Sequence, residues 1–171
     1  MKQIISMSLS LSVFVFLSAC SQQSEVQQNL GSLFPEHIDG WQLVELVTGT
    51  KALEQINRLH GKNIIVQAGA IGTYQVTGKQ PAMIWISRSK TSDMTREQAE
   101  VMADRMVTNP HSPFHAPETF VRNTVKVYKF LGMGQVHYVF CKGRLGFWIS
   151  APLKDGEKLL RYFLKKGTQK S

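Results

Sequence analysis

His137 and Cys141 are the two residues whose side chains could together perform covalent chemistry, with a thiolate as the nucleophile and an imidazole as its base. They lie four residues apart in a segment of alternating polarity, which predicts a strand. Four residues of strand separate Cα atoms by about 13 Å, at roughly 3.3 Å per residue. Direct pairing is therefore not expected. The sequence favours Cys141 as a small buried apolar residue, with an intermolecular disulfide or a reactive thiol as the alternatives.

The histidines His111 and His115 have the spacing of two metal ligands on one turn of a helix. Three prolines within residues 109–118 predict a loop instead, because proline fits neither a helix interior nor a central strand. No third ligand lies nearby in the sequence, and no phosphate-binding or dinucleotide fingerprint is present. We therefore assign no catalytic residue, no metal site and no cofactor.

Residues 121–151 alternate in polarity in three stretches, which predicts a three-stranded antiparallel meander. If Lys142 and Gly143 form a two-residue turn, the register of the whole meander follows. The predicted cross-strand pairs are Phe140 with Leu145, Tyr138 with Phe147, Val136 with Ile149, Val127 with Tyr138, and Val125 with Phe140. One face then collects the apolar side chains of a core, namely Val125, Val127, Val136, Tyr138, Phe140, Leu145, Phe147 and Ile149.

The opposite face of this meander is polar, aromatic and basic. It receives Thr124, Lys126, Tyr128, His137, Cys141, Arg144, Trp148 and Ser150. The predicted register places His137 across from Trp148 and Tyr128, where the rings could stack on a ligand while Lys126 and Arg144 attract an anionic group. These five residues are the candidate ligand site. The alternative is an ordinary solvent face, or a face that a helix partly covers.

The rest of the chain predicts further strands and helices. Strands are expected over residues 41–47, 64–76 with a bend or bulge at Gly69 and Gly72, and 82–88. Helices are expected over residues 50–60 with a stop at Gly61, after a capping box that begins at Thr95, and after a cap at Asp155. The predicted order is β-α-β-β-α-β-β-β-α. This order indicates an α+β fold, an antiparallel sheet with helices packed on it.

The N-terminus has the organisation of an export signal: a basic start at Lys2, an apolar stretch over residues 4–17, and small residues before Cys20. The apolar stretch is shorter than the roughly 20 residues that span a bilayer. The tetrapeptide Leu17-Ser18-Ala19-Cys20 resembles the lipobox of bacterial lipoproteins. The resemblance implies removal of residues 1–19 and attachment of a diacylglyceryl group to Cys20. An ordinary cleaved signal with a chance cysteine is the alternative.

Lipidation of Cys20 would anchor the exported protein to a membrane without a spanning helix. Ser21 stands where the retention signal of enteric inner-membrane lipoproteins has Asp, so in a Gram-negative host the resemblance implies the outer membrane, facing the periplasm. Residues 20–32 are polar and predict a flexible tether, residues 33–167 a single α+β domain, and residues 168–171 a tail. Removing residues 1–19 leaves 152 residues, enough for one domain.

The segment Leu33-Phe34-Pro35-Glu36-His37-Ile38-Asp39-Gly40-Trp41, together with residues 52–57, is similar to an uncharacterised family of exported bacterial proteins with a Leu-Pro…Gly-Trp signature. Arg58 replaces the glycine that the family pattern has after Ile-Asn. The resemblance implies an α+β domain and no particular activity.

The formal charge of +8 falls to +7 once the segment with Lys2 is removed, and a basic surface attracts anionic partners. The plainer reading is that the excess of Lys and Arg keeps the surface soluble. We expect a non-enzymatic, membrane-anchored protein that binds an anionic envelope component or an envelope protein, and no nucleic acid. The alternative is an envelope hydrolase that uses the loop residues His111, His115 and Glu118.

Overall fold

Eight β-strands form one antiparallel sheet in the computed structural model of the chain, which describes residues 30–60 and 65–166. Within these residues the strands are β1 (His37–Ile38), β2 (Trp41–Thr48), β3 (Ala68–Gln75), β4 (Ala82–Arg88), β5 (Phe114–Arg122), β6 (Val125–Gly132), β7 (Gln135–Lys142) and β8 (Leu145–Pro152). The helices are α1 (Gly49–His60), α2 (Ser92–Thr108) and α3 (Gly156–Lys166). The strands lie side by side in the order β1-β2-β3-β4-β8-β7-β6-β5.

Several predictions fall on residues outside the described ranges. They are the export signal, the lipidation of Cys20, most of the tether, the helix stop at Gly61, the beginning of the strand at residue 64, and the tail. Among the described residues, no helix is long and apolar enough to cross a membrane.

The fold is α+β, but the predicted order of elements is wrong in two places. The observed order is β-β-α-β-β-α-β-β-β-β-α, because β1 occupies the predicted opening turn and β5 occupies most of the predicted proline loop. Strand β5 lies at the edge of the sheet, where a proline costs no ladder hydrogen bond. Its register shifts between His115 and Glu118, and Ala116 there has a φ of 49°. This bulge accommodates Pro117 within a strand.

Two-residue turns join β5 to β6, β6 to β7, and β7 to β8. They consist of Asn123-Thr124, Met133-Gly134 and Gly143-Arg144, and positive φ angles occur in all three. The predicted turn at Lys142-Gly143 is therefore one residue too early. Phe140 pairs with Phe147 and Val127, and Tyr138 pairs with Ile149. The predicted pairs are each displaced by two residues, which changes the partners but leaves every side chain on its predicted face.

The larger part of the core lies on one face of the sheet, the α3 face, which carries Val127, Tyr138, Phe140, Phe147 and Ile149. All eight side chains predicted for the core of the meander lie in or against this cluster. Helix α3 packs on this face through Leu159, Leu160, Phe163 and Leu164. Leu30 is fully buried in the same cluster, so the domain includes residues that the sequence assigns to the tether.

Helices α1 and α2 cover the opposite face of the sheet, the α1–α2 face. Ala52 and Ile56 of α1 pack on Val47 and Ile71 there. Ala99, Ala103 and Met106 of α2 pack on Phe130 and Val139. The central strands of the sheet are therefore buried on both faces.

Helix α2 begins earlier than the predicted capping box. Thr91 is the N-cap, and its hydroxyl oxygen accepts a hydrogen bond from the backbone N–H of Met94 at 3.2 Å. Thr95, the predicted cap, is buried within the first turns, and its hydroxyl donates to the carbonyl of Thr91 at 3.1 Å. One turn of helix therefore precedes the predicted start.

Gly69 and Gly72 allow close packing on β3 and do not form a bulge in it. The register shift in this part of the sheet lies in β2, between Leu43 and Glu45. A Cβ at Gly72 would lie 2.4 Å from Cδ1 of Phe34, and a Cβ at Gly69 would lie 2.5 Å from Cδ1 of Ile56. Each glycine therefore lets an apolar side chain approach the backbone of β3.

Gly72→Ala tests this close approach. We expect it to lower the free energy of unfolding by about 1–3 kcal/mol, because the buried Phe34 ring must move away from the new methyl group. Gly31→Ala is the matched control, since its added Cβ meets only ordinary contacts with Leu46 and Thr48. Urea denaturation of both variants measures the difference. Equal stability of the two variants would show that the ring is not held against β3.

Candidate functional site

The structure divides the five predicted ligand-site residues among three places. His137 is buried under α2 with 1% of its surface exposed, and Trp148 is partly buried beside it. Lys126 and Tyr128 lie together near the surface, and Arg144 is exposed in the turn between β7 and β8. The predicted single patch is not formed, because α2 covers the centre of that face.

His137 is held by hydrogen bonds on both ring nitrogens. Its Nδ1 lies 2.9 Å from Oγ of Ser150 and 3.3 Å from Nε1 of Trp148, and its Nε2 lies 3.0 Å from the carbonyl oxygen of Gly132. The indole N–H only donates, so Nδ1 is an acceptor and Nε2 carries the proton that Gly132 accepts. The ring is therefore neutral, and burial lowers its pKa below the ordinary value. It belongs to the interior and is not available to stack on a ligand.

Aromatic rings surround His137 on the inner side of α2. The Phe114 ring lies edge-on to His137, with centroids 4.9 Å apart, and the Trp148 centroid is 6.1 Å away. A cavity of about 50 Å³ lies nearby, lined by residues that include Trp85, Met102 and Trp148. This volume accommodates about three water molecules and is far below the roughly 300 Å³ or more of a small-molecule site.

Lys126 and Tyr128 form a small surface cluster with Glu100 of α2. The Lys126 ammonium lies 4.9 Å from the centroid of the Tyr128 ring and 3.7 Å from a carboxylate oxygen of Glu100. The Tyr128 side chain, and to a smaller extent Glu100, raise the pKa of Lys126. The cluster fastens α2 to β6, and Glu100 neutralises part of the charge that an anionic ligand would seek.

Arg144 belongs to a different cluster, at the end of the sheet where β4 and β7 finish. Arg88 pairs in register with Leu145, and the N–H of Ser89 donates to the carbonyl of Arg144 at 3.0 Å. The Lys142 ammonium donates to the carbonyl of Leu164 near the end of α3. These two contacts join three segments of the chain into one cationic surface. We call it the basic rim, and it consists of Arg88, Lys90, Lys142, Arg144, Lys165 and Lys166.

Salt bridges leave part of the basic rim without neutralisation. The six ion pairs printed by the described geometry use Lys79, Arg96, Arg122, Lys126, Lys129 and Lys158. Within the described ranges, Lys90, Arg144 and Lys166 make no salt bridge, and all three are exposed. Lys142 caps α3, and burial lowers its pKa. The rim therefore presents positive charge to solvent.

The sequence reasoning identified Arg144 but missed the other members of the basic rim. Each of them ends an element: Arg88 ends β4, Lys142 ends β7, and Lys165 and Lys166 end α3. Basic residues at the ends of several predicted elements are a readable signal. Bringing those ends together requires the pairing of β4 with β8, which the hairpin pattern does not provide.

The residues considered for other chemistry lie apart from the basic rim. His111 and His115 are exposed, and Glu118 is bound to the Lys129 ammonium at 2.7 Å. Burial raises the pKa of the Cys141 thiol, and Arg96 acts in the opposite direction. No group of three or more His, Cys, Asp or Glu in the described part of the chain is placed to hold a metal ion.

Comparisons with known proteins leave the class of protein at the level of the fold. No family model and no curated protein matches the sequence. A solved structure described as a GTP-binding regulator from Thermotoga maritima aligns with a TM-score of 0.48 and 6% identity, covering 79% of this chain and 84% of that chain. Similarity of this degree transfers neither ligand nor activity.

The neutral, buried state of His137 predicts how stability depends on pH. Because its pKa is lower in the folded protein than the value of about 6.5 in an unfolded chain, the unfolded state binds more protons below pH 6.5. Its contribution is complete above that pH and is lost as the pH falls toward the folded pKa. We expect a steeper loss of unfolding free energy between pH 7.5 and pH 5 in the natural protein than in His137→Gln.

Denaturant unfolding at the two pH values measures this difference, with His37→Gln as the control because His37 is exposed. The lowered pKa of Asp155, caused chiefly by its hydrogen bond with Lys79, acts below about pH 4 and does not enter this range. Equal slopes for the natural protein and His137→Gln would contradict the neutral tautomer assigned to the buried ring.

Proposed function

We propose that the protein is an exported lipoprotein, anchored through lipid on Cys20, and that its α+β domain binds an anionic component of the cell envelope. The anchor is supported by the lipobox-like Leu17-Ser18-Ala19-Cys20 and by the apolar stretch before it. In a Gram-negative host, Ser21 favours the outer membrane, with the domain facing the periplasm. Removal of residues 1–19 leaves the formal charge at +7.

One observation carries the binding function: the basic rim holds Lys90, Arg144 and Lys166 exposed and without a salt bridge in the described residues. Outside the cytoplasm, anionic lipids and cell-wall polymers are the abundant partners for such a surface. The hydrolase alternative has no comparable feature in its favour, because Glu118 is bound to Lys129 and the two histidines His111 and His115 lie exposed beside an edge strand.

Mass spectrometry of the membrane-extracted protein tests the anchor. We expect the natural protein to begin at Cys20 and to carry the added mass of acyl chains, and we expect it to fractionate with membranes. Cys20→Ala should lack that mass and be either unprocessed or released. Cys141→Ala is the control, because it removes the other cysteine and should leave both the acylation and the fractionation unchanged.

A natural protein that is cut at another residue, or that is soluble without detergent, would overturn the anchor. The domain would then be freely secreted.

Binding to a generic polyanion tests the proposed class of partner. We expect the detergent-solubilised mature protein to bind inorganic polyphosphate and not neutral dextran. The affinity should fall steeply as salt is raised from 0.05 to 0.5 M, because salt screens charges on exposed side chains. Equal binding to the two polymers, or binding that salt does not weaken, would contradict recognition by charge.

A further inference from the structure

The described chain enters the domain at the same end of the sheet as the basic rim. Gly31 lies against the side chains of Leu46 and Thr48, and Leu30 is buried beside them in the core. Thr48 pairs with Ala70 near the beginning of β3, and Ala68 pairs with Arg88 at the end of β4. Strand β8, which begins at the basic rim, is three strands from β2. At about 4.8 Å per strand, the two points are roughly 14 Å apart across the sheet.

The covalent chain limits how far the domain can lie from the lipid. Ten residue steps separate Cys20 from Leu30. Such a segment spans at most about 35 Å even when it is fully extended. A lipid on Cys20 would therefore keep the basic rim close to the surface of the leaflet, whatever conformation the segment adopts. This proximity raises the effective concentration of headgroups at the rim.

The chemistry of the rim suits phosphate groups. Arg88 and Arg144 lie close enough for Arg144 to lower the pKa of Arg88, in addition to the larger effect of burial. Two neighbouring guanidinium groups repel each other, and a phosphate between them would relieve that repulsion. Guanidinium groups also bind phosphate through paired hydrogen bonds. Lys90 and Lys166 extend the positive charge to either side of this pair.

We propose that the basic rim docks on anionic phospholipid headgroups of the same leaflet that holds the lipid on Cys20. This inference rests on the proposed lipoprotein function and adds its ligand and its orientation. The domain lies with the ends of β4, β7 and α3 toward the membrane. The opposite end of the sheet, with the turn at Leu153 and Lys154, faces away from the membrane.

Lysine acetylation of the mature, acylated protein in vesicles tests the orientation. Proteoliposomes of phosphatidylcholine, with or without phosphatidylglycerol, are treated with a limiting amount of an acetylating reagent, and mass spectrometry gives the rate at each lysine. Lys90 and Lys166 report on the rim, and Lys154 is the internal control, since it is exposed at the opposite end. A cation near an anionic surface gains a factor of about five in occupancy. We expect Lys90 and Lys166 to react about fivefold more slowly with phosphatidylglycerol present, and Lys154 to be unchanged.

Salt and two matched variants separate docking from indirect effects. At 1 M salt, where screening acts within about 3 Å, the protection should disappear. The double variant Arg144→Glu with Lys166→Glu should lose the protection of Lys90. The control pair Arg105→Glu with Lys154→Glu has the same change in charge on exposed residues and should keep it. Circular dichroism melting of both pairs confirms that they fold.

Each outcome distinguishes this inference from the proposed function. If the protein carries the acyl mass but Lys90 and Lys166 react equally fast in both vesicles, docking on lipid is overturned and the anchor stands. If polyphosphate protects these lysines and phosphatidylglycerol does not, the rim binds a different envelope anion and docking on lipid is again overturned. Absence of the acyl mass would overturn the anchor and the docking together.

Discussion

Phe140 of β7 and Phe147 of β8 stack face to face, with centroids 4.7 Å apart and an interplanar angle of 5°. This cross-strand pair fixes the register of the hairpin, and the register in turn places Gly143 and Arg144 in the turn. Phe163 of α3 packs on Phe147 at 6.3 Å, which holds the end of α3 beside Lys142. The positions of the basic rim therefore depend on an apolar contact inside the core.

Burial of both faces of the sheet sets a second constraint. A strand with no solvent face must satisfy every polar side chain from within the protein. His137 and Ser150 lie opposite each other on β7 and β8, and they bond to each other, to the carbonyl of Gly132 and to the indole of Trp148. The histidine is thus a polar member of a closed interior. The same burial that removes it from ligand binding leaves the exposed ends of the elements as the polar surface of this part of the molecule.

The sequence predicted the class of fold and the core of the meander because both depend on local alternation. An error of two residues in register left Val127, Tyr138 and Phe147 on their predicted face, whereas an error of one would have inverted it. The helical face of Ala99, Ala103 and Met106 was also readable, but the face of the sheet that it covers was not. That choice depends on how α2 crosses from β4 to β5, and local periodicity does not encode it.

The candidate site was less predictable because its members come from distant segments. β4 pairs with β8 across 57 or more intervening residues of other elements, which brings Arg88 next to the turn that holds Arg144. β5 was missed for a related reason: its prolines exclude a central strand and not an edge strand, and edge position is a property of the assembled sheet.

The two ends of the sheet differ in how their charges are arranged. At the end opposite the basic rim, buried Asp155 holds the ammonium groups of Lys79 at 2.7 Å and Lys158 at 3.6 Å. At the basic rim, Arg88 and Arg144 lie close together, although mutual repulsion opposes this arrangement. The chain supplies a buried carboxylate at one end and exposes Lys90, Arg144 and Lys166 at the other. An arrangement that costs folding free energy in isolation is stabilised when an anionic surface lies against it, and the N-terminal segment enters the domain on that side.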